Sequence, residues 1–193
     1  LLQARLAALG VQWHLGTSVQ AVDRAETGYA VKLANGNVLR VDVVLSAVGL
    51  KPRTAIAAAA GIQIKRGIVA NRHLETSAPD VYTLGDCAEI EGLGMPYVMP
   101  IMHATRALAQ TLAGKRTAVS FPAMPVMVKT PACPTIVSPP AFGAEGSWQV
   151  EATADGVKSL FVAADGKLLG FALNGAATAE RAKLAPQLPP VLA

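Results

Sequence analysis

One short segment limits the fold of this chain more than any other: the apolar run Val81–Leu84, followed by Gly85 and the lone acid Asp86. The run predicts a buried strand, and Gly85 lets the backbone turn sharply and a ligand come close. Open α/β sheets bind their ligands beyond the carboxyl ends of strands, which is where Asp86 is expected. A carboxylate at that place accepts charge-assisted hydrogen bonds from hydroxyl groups. The alternative is an acid that caps a helix or belongs to a turn.

The composition agrees with a helix-covered sheet and excludes several classes of protein. Apolar residues make up 52% of the 193 residues and charged residues 16%, which excludes a disordered chain. Aromatic residues are few, and Ala, Val and Leu dominate, as in parallel sheets covered by helices. No apolar run is long enough to span a bilayer. The chain has no dense cluster of Lys and Arg, which argues against binding of nucleic acid. Cys87 and Cys133 form no CxxC pair, so we expect the reducing cytoplasm.

The first part of the chain predicts a helix followed by strands. Asn35-Gly36 is a strong hairpin signal, because both residues tolerate positive φ. The continuous apolar run Asp42–Val48 predicts a strand that is buried on both faces. The other predicted elements are a helix at Leu1–Leu9 and strands at Val19–Asp23, Tyr29–Leu33 and Val38–Val41.

The middle and the end of the chain differ in the secondary structure that they predict. A helix is predicted over Ile101–Ala113, with Pro100 at its first position and Gly114 beyond its end. The proline-rich stretch 117–140 predicts a domain junction or edge strands. Asp-Gly pairs then predict tight turns between antiparallel strands. These strands are Ser147–Thr153, Val157–Ala163 and Lys167–Leu173, and a helix near Ala177–Leu184 follows them.

Three elements occur in an informative order: the strand that ends in Ala47-Val48-Gly49, the Asp86 segment, and the helix that begins near Pro100. The positive end of that helix and its free N–H groups favour an anion close to whatever Asp86 holds. In this order the elements resemble the second half of the pyridine-nucleotide flavoprotein reductases that have two dinucleotide-binding domains. The resemblance covers about residues 1–115.

That resemblance implies an FAD site and gives roles to its residues. Ala47 and Gly49 correspond to the crossover from the NAD-binding domain to the FAD-binding domain. Asp86 corresponds to the aspartate that binds a ribityl hydroxyl of FAD, and Gly85 permits the close approach. The residues that flank the flavin pyrimidine are Val98, Met99 and Pro100, with the backbone N–H of Val98 or Met99 as a donor.

The next segment, residues 121–134, resembles the corresponding part of the rubredoxin–NAD(+) reductases. This resemblance implies NADH as the electron donor and rubredoxin, a small acidic iron–sulfur carrier, as the acceptor. It places Lys129 near the flavin, where a cation stabilises the reduced, negatively charged ring. No acid occurs between Glu91 and Glu145, and this basic stretch fits an acidic carrier through electrostatic steering. The alternatives are an exposed lysine on an edge strand and an ordinary solvated surface.

The chain lacks the Gly-rich phosphate loops that the family carries early in each nucleotide-binding domain. We therefore expect an α/β fold, the C-terminal half of a longer flavoprotein with two dinucleotide-binding domains, which is inactive alone. A small α+β domain with an antiparallel sheet is expected at its end. The expected domains are the end of the NAD-binding domain at 1–46, the end of the FAD-binding domain at 47–115, and the C-terminal domain at 116–193.

The function implied by both resemblances is an FAD-dependent NADH oxidoreductase that reduces rubredoxin. The alternatives are a ferredoxin reductase of an oxygenase system and a flavin-free binding module of the same fold. The sequence leaves open the choice between NADH and NADPH, and between alkane degradation and oxygen defence. We expect Cys87 and Cys133 to be packed side chains rather than redox centres. We expect His103 to be a packed or solvent-facing side chain rather than a proton donor.

Overall fold

The structure, a computed structural model, describes all of residues 1–193. The chain divides into two compact units, residues 3–49 and residues 50–193, the second of which also includes Leu1 and Leu2. None of its helices has the length and apolar character that crossing a membrane requires. No cluster of three or more His, Cys, Asp or Glu side chains is placed to hold a metal ion.

The unit formed by residues 3–49 contains a small antiparallel sheet. Its strands β1, β2 and β3 lie side by side in chain order, which confirms all three predicted strands. The Asn35-Gly36 hairpin is confirmed as well, since the N–H of Leu33 donates to the carbonyl oxygen of Asn37 at 2.9 Å. The elements of this part are helix α1 (Leu2–Ala7), β1 (Val19–Arg24), β2 (Tyr29–Leu33) and β3 (Val38–Val41).

The strand predicted over Asp42–Val48 is wrong, because this segment pairs with no other strand of the chain. Its apolar side chains face solvent: Leu45 is 87% exposed and Val48 is 93% exposed. A strand buried on both faces needs neighbouring strands and covering helices, and no other segment of these 193 residues supplies them. The segment has the apolar composition of a buried strand, but its side chains are exposed in this chain.

Residues 50–121 pack around one helix. Short strands β4 and β5 pair in parallel, and α3 buries Ala104 and Ala107 against Leu74 and Phe121. The strand predicted over Val81–Leu84 is wrong: only Tyr82 forms a bridge, with Glu75, and β5 follows Asp86 instead of preceding it. The elements are α2 (Ala55–Ala59), β4 (Ile68–Ala70), β5 (Ala88–Ile90) and α3 (Val98–Leu112).

The last part of the chain forms a five-stranded antiparallel sheet with the order β6-β7-β10-β9-β8. The three strands predicted after residue 146 are confirmed, and the proline-rich stretch supplies an edge strand, as predicted. The strands are β6 (Val126–Val128), β7 (Thr135–Ser138), β8 (Ser147–Ala152), β9 (Gly156–Val162) and β10 (Leu168–Gly175). A 3-10 helix (Ala176–Glu180), α4 (Arg181–Leu184) and a second 3-10 helix (Ala185–Gln187) replace the single helix predicted there.

The two faces of this sheet differ. One face is a core, in which Ile136, Phe171 and Leu173 pack against Leu184 and Leu188. Directly paired residues point to the same face of a sheet, so the register defines a row on the opposite face. That row carries no charge and consists of Val126, Val137, Ala172, Ser159 and Val150.

A candidate cofactor cleft beside helix α3

Asp86 lies in a tight turn that leads into β5. The backbone N–H of Ala88 donates to the carbonyl oxygen of Gly85 at 3.0 Å, which closes the turn. Gly85 has a φ of +91°, a conformation that glycine adopts without strain, and a Cβ there would meet nothing within 4 Å. The Asp86 side chain is exposed and belongs to none of the four ion pairs. Its carboxylate is therefore available to a ligand.

A buried acid on β5, directly after this turn, binds the loop that precedes β4. Glu89 Oε2 accepts hydrogen bonds from the backbone N–H groups of Arg66 at 2.9 Å and Gly67 at 3.0 Å. Gly67 lies so close to the turn that a Cβ on it would be 2.8 Å from the carbonyl oxygen of Cys87. Glycine at this position lets the two segments meet, and the Glu89 carboxylate fixes them together.

The segment that leads to Asp86 is also tied to the chain beyond α3. Arg116 donates from Nε to Glu75 Oε1 at 3.1 Å and from Nη2 to Oε2 at 2.9 Å. Asn71 Nδ2 donates to the same Oε2 at 2.7 Å. These hydrogen bonds, first from Arg116 and then from Asn71, lower the pKa of Glu75 from 4.5 to about 2. Because the Arg116–Glu75 pair is largely exposed to solvent, it contributes little to the overall stability of the protein.

Helix α3 offers two free N–H donors at its start. Tyr97 is the N-cap residue, and no side chain caps the helix. The first four N–H groups of a helix have no partner within it. Here Tyr97 N donates to Met95 at 2.9 Å and Pro100 has no N–H, which leaves the groups of Val98 and Met99. The helix starts two residues before the predicted Pro100, because proline is tolerated throughout a first turn that lacks these hydrogen bonds.

The Asp86 turn and the first part of α3 line one open cleft of about 440 Å³. Lys51 and Arg53 enter the same cleft and form none of the ion pairs of the structure. The cleft thus combines one free carboxylate with two unpaired cations, a set that suits a ligand with both hydroxyl and anionic groups. Its lining residues are Leu50, Lys51, Pro52, Arg53, Asp86, Cys87 and Ile101.

Lys51 and Arg53 are the residues that sequence reasoning did not assign to the site. They flank Pro52 directly after the predicted crossover, and two cations at that position are a signal that points to an anionic ligand. Their meeting with Asp86 depends on tertiary structure, because more than thirty positions separate them along the chain.

A small apolar space lies between the Asp86 turn and α3. Gly85, Pro100 and Phe121 are among the residues that line it. Its volume of about 10 Å³ is too small for a ligand. His103 packs edge-on against Phe121 with ring centroids 6.4 Å apart, which is the first of the two expected alternatives, a packed or a solvent-facing histidine. Gly85 and Pro100, two of the predicted site residues, therefore lie on the walls of the same small apolar space.

The remaining predicted site residues lie elsewhere. Ala47 and Gly49 are exposed and belong to the unit of residues 3–49. Lys129 is exposed at the end of β6 and is not among the residues that line the Asp86 cleft. Cys87 and Cys133 are free thiols, the first half-buried and the second buried.

Comparison with known proteins gives two family matches that follow one another along the chain. Residues 1–111 match the model described as pyridine nucleotide-disulphide oxidoreductase. Residues 118–188 match the model described as rubredoxin binding C-terminal domain. The junction between the two matches falls directly after α3.

Curated relatives agree with these matches. The chain is 50% identical to a rubredoxin-NAD(+) reductase of Alcanivorax borkumensis over 97% of this chain and 49% of that protein. It is 44% identical to a rubredoxin-NAD(+) reductase of Acinetobacter baylyi over 97% of this chain and 49% of that protein. The chain therefore spans about half the length of the curated relatives it matches.

A solved structure shows the same fold. The ferredoxin reductase for the CYP199A2 system from Rhodopseudomonas palustris matches with a TM-score of 0.83 and 24% identity, over 99% of this chain and 49% of that chain. This confirms the predicted α/β fold with an antiparallel sheet near its end. Since the first family match covers more than half of the residues, the chain belongs to the pyridine nucleotide-disulphide oxidoreductase family.

Proposed function

We propose that these residues form the C-terminal half of an FAD-dependent NADH oxidoreductase that passes electrons to rubredoxin. The match of residues 118–188 to the rubredoxin-binding domain carries the choice of acceptor, because a ferredoxin reductase has the same fold and the fold alone does not select the acceptor. The named activity of the two rubredoxin-NAD(+) reductases supports the same choice.

The residues of the cleft fit FAD. Asp86 has a free carboxylate for the ribityl hydroxyls, and Gly85 leaves open space in front of the turn. The uncapped N–H groups of Val98 and Met99 would donate to the pyrimidine oxygen of the flavin, in a first turn completed by Pro100. Lys51 and Arg53 supply positive charge for the phosphates. Ala47 and Gly49 are small residues that would let the crossover segment approach the cofactor.

FAD, when bound, accepts a hydride from NADH and gives up its electrons one at a time. The chain's own residues bind and tune it. The Asp86 carboxylate orients the polyol arm, because it accepts charge-assisted hydrogen bonds of fixed direction. The positive end of α3 favours negative charge at the flavin pyrimidine and so favours the reduced form. Lys129 is not among the residues that line the cleft. It would stabilise the reduced flavin only if its side chain reached the ring in the full-length protein.

The proposed domains are the end of the NAD-binding domain at 1–46, the end of the FAD-binding domain at 47–115 and the rubredoxin-binding domain at 116–193. The gap between the two family matches at 111 and 118 supports the second boundary. The division of the chain after Gly49 lies three residues beyond the first. A cytoplasmic location is also proposed, supported by two cysteines that form no disulfide.

The test is stopped-flow reduction of the full-length protein by NADH, followed by mixing with rubredoxin or with a ferredoxin. We expect flavin-coloured protein that reduces rubredoxin faster than ferredoxin, by roughly tenfold or more if the acceptor is electrostatically matched. Equal rates with both carriers would remove the acceptor assignment. A colourless protein that cannot be reconstituted with FAD would make the chain part of a binding module.

A further inference from the structure

Glu89 is a buried acid in an otherwise apolar strand. It is 5% exposed, and its neighbours on β5, Ala88 and Ile90, are buried as well. Its carboxylate takes part in none of the four ion pairs of the structure. A buried carboxylate without a cation is less favourable for stability than an apolar side chain of similar size. We therefore expect a use for Glu89 that packing alone does not provide.

The hydrogen bonds of Glu89 lie at the end of the strands that carries Asp86. Strands β4 and β5 are parallel, so the residues that precede each strand lie at the same end. Asp86 precedes β5. The two N–H groups that donate to Glu89 Oε2 belong to Arg66 and Gly67, which precede β4. The Glu89 side chain thus reaches back from its strand toward the Asp86 turn.

The loop that Glu89 binds touches the Asp86 turn directly. The N–H of Ile68 donates to the carbonyl oxygen of Cys87, the residue after Asp86, at 2.8 Å. A Cβ on Gly67 would lie 2.8 Å from that oxygen and 3.2 Å from the Cβ of Glu89. No side chain fits between the loop and the turn, so a displacement of the loop displaces the turn that carries Asp86.

Strands β4 and β5 are too short to hold this arrangement by themselves. Each has three residues, and within this chain they form a sheet of two strands. A sheet of this size is marginally stable in water, so its pairing at the Asp86 end depends on further hydrogen bonds. The Glu89 carboxylate supplies two of them, and hydrogen bonds to an ionised acceptor are stronger than neutral ones.

We infer that Glu89 is a positioning residue of the cofactor site and holds the Asp86 carboxylate in the direction that the ribityl hydroxyls of FAD require. The inference rests on the proposed function and goes beyond it, because it assigns to Glu89 an effect on FAD binding that passes through Asp86. Asp86 is exposed and belongs to no ion pair, so the turn that carries it sets its direction. A Glu89 that served only the fold would affect FAD binding independently of Asp86, or not at all.

The experiment is a double-mutant cycle on the full-length protein, which measures the dissociation constant of FAD after its removal and reconstitution. Glu89→Leu keeps the approximate size of the side chain and removes the acceptor, and it is combined with Asp86→Ala. Glu89→Gln keeps an acceptor oxygen without the charge. Glu91→Gln, which removes an exposed acid two residues further along, is the matched control.

A second pair of variants displaces the turn from the side of the loop. Gly67→Ala introduces the Cβ that would meet Cys87, and it is also combined with Asp86→Ala. Gly94→Ala is its control, because a Cβ at Gly94 meets nothing within 4 Å. The melting temperature of every variant is recorded, and FAD binding is measured well below the lowest of these temperatures.

We expect Glu89→Leu and Gly67→Ala to raise the dissociation constant of FAD on the order of tenfold, since either change displaces the Asp86 turn. Glu89→Gln should raise it roughly threefold, because the acceptor oxygen remains. Both controls should change it less than about twofold. In the Asp86→Ala background, Glu89→Leu and Gly67→Ala should each change it less than about twofold, because residues that act as one unit are not additive.

Unchanged FAD binding by Glu89→Leu, or an effect of equal size with and without Asp86, would overturn the inference and leave the proposed function standing. A lower melting temperature with parental FAD binding would show that Glu89 serves only the fold. If Glu89→Leu does not fold, the cycles of Glu89→Gln and Gly67→Ala with Asp86→Ala decide, and additive effects there contradict the inference. A parent protein that cannot be reconstituted with FAD would remove the proposed function and this inference together.

Discussion

At the scale of single residues, Asp86 and Glu75 show two uses of a carboxylate within one segment. Glu75 is saturated by Arg116 and Asn71, so its charge serves the structure. Asp86 is exposed and unpaired on a turn that Gly85 makes possible. The sequence predicts Asp86 as a candidate ligand from its context, the apolar run and Gly85 before it and the helix near Pro100 after it, and not from the Gly-Asp pair alone. The cations that share its cleft were not predicted, because only the folded chain brings Lys51 and Arg53 to it.

Replacement of Asp86 tests its proposed role toward the cofactor. We expect Asp86→Ala in the full-length protein to weaken FAD binding by on the order of 1.5–3 kcal/mol, because a charge-assisted hydrogen bond is lost. The measurement is the dissociation constant of FAD after removal and reconstitution. Glu145→Gln, which removes an exposed acid elsewhere, is the control and should bind FAD as the parent does. Equal affinity in Asp86→Ala would contradict the assignment.

The pH dependence of stability reports on Glu75. Its folded-state pKa of about 2 lies below the ordinary 4.5, so its stabilising effect is complete above pH 4.5 and is lost as the pH falls toward 2. We expect Glu75→Gln to lower the melting temperature at neutral pH. The difference from the parent protein should shrink over that acidic range. A difference that stays constant down to the lowest pH would mean that the carboxylate charge is not what stabilises the pair.

At the scale of elements, the sequence predicted correctly the strands that form through neighbouring residues. It predicted wrongly the strands that depend on distant parts of the chain. The Asn35-Gly36 hairpin and the strands β8, β9 and β10 were predicted because a tight turn and adjacent strands suffice to form them. The strands predicted at Asp42–Val48 and Val81–Leu84 were wrong, because a central parallel strand exists only through its neighbours. Helix α3 was predicted, yet its start was misplaced, since proline is compatible with more than one first-turn position.

The packing of α3 permits a test with a matched pair of substitutions. Ala104 is 1% exposed and packs beside Phe121 in the core, whereas Ala109 is exposed on the same helix. We expect Ala104→Leu to destabilise the protein by about 1–3 kcal/mol through overpacking. Ala109→Leu should change the stability by less than about 0.5 kcal/mol. Denaturant unfolding measures both, and similar effects at the two positions would show that α3 does not pack as described.

At the scale of the whole molecule, the main feature is apolar surface that this chain does not bury. Leu45 and Val48 face solvent in a segment whose composition is that of a buried strand. Contiguous exposed apolar side chains mark surfaces that bind other polypeptide. Together with the half-length match to the curated relatives, this supports the proposal that residues 42–49 are covered in the full-length protein.

Binding of a hydrophobic dye checks that proposal. We expect the 193-residue chain to bind anilinonaphthalene sulfonate, and the double substitution Leu45→Ser and Val48→Ser to reduce the fluorescence. Ile56→Ser removes a single exposed side chain on α2, 90% exposed, and should change the signal little. The full-length protein should show little dye binding at all. Strong binding by the full-length protein would mean that the segment stays uncovered.

The proline-flanked β6 strand has a consequence for the way this edge of the sheet meets other polypeptides. The strand has only three residues, and Pro125 precedes it while Pro131 follows it closely. Because proline donates no main-chain hydrogen bond, a second chain cannot prolong the sheet here. The edge is thus protected against strand-to-strand aggregation, although its apolar side chains are partly exposed.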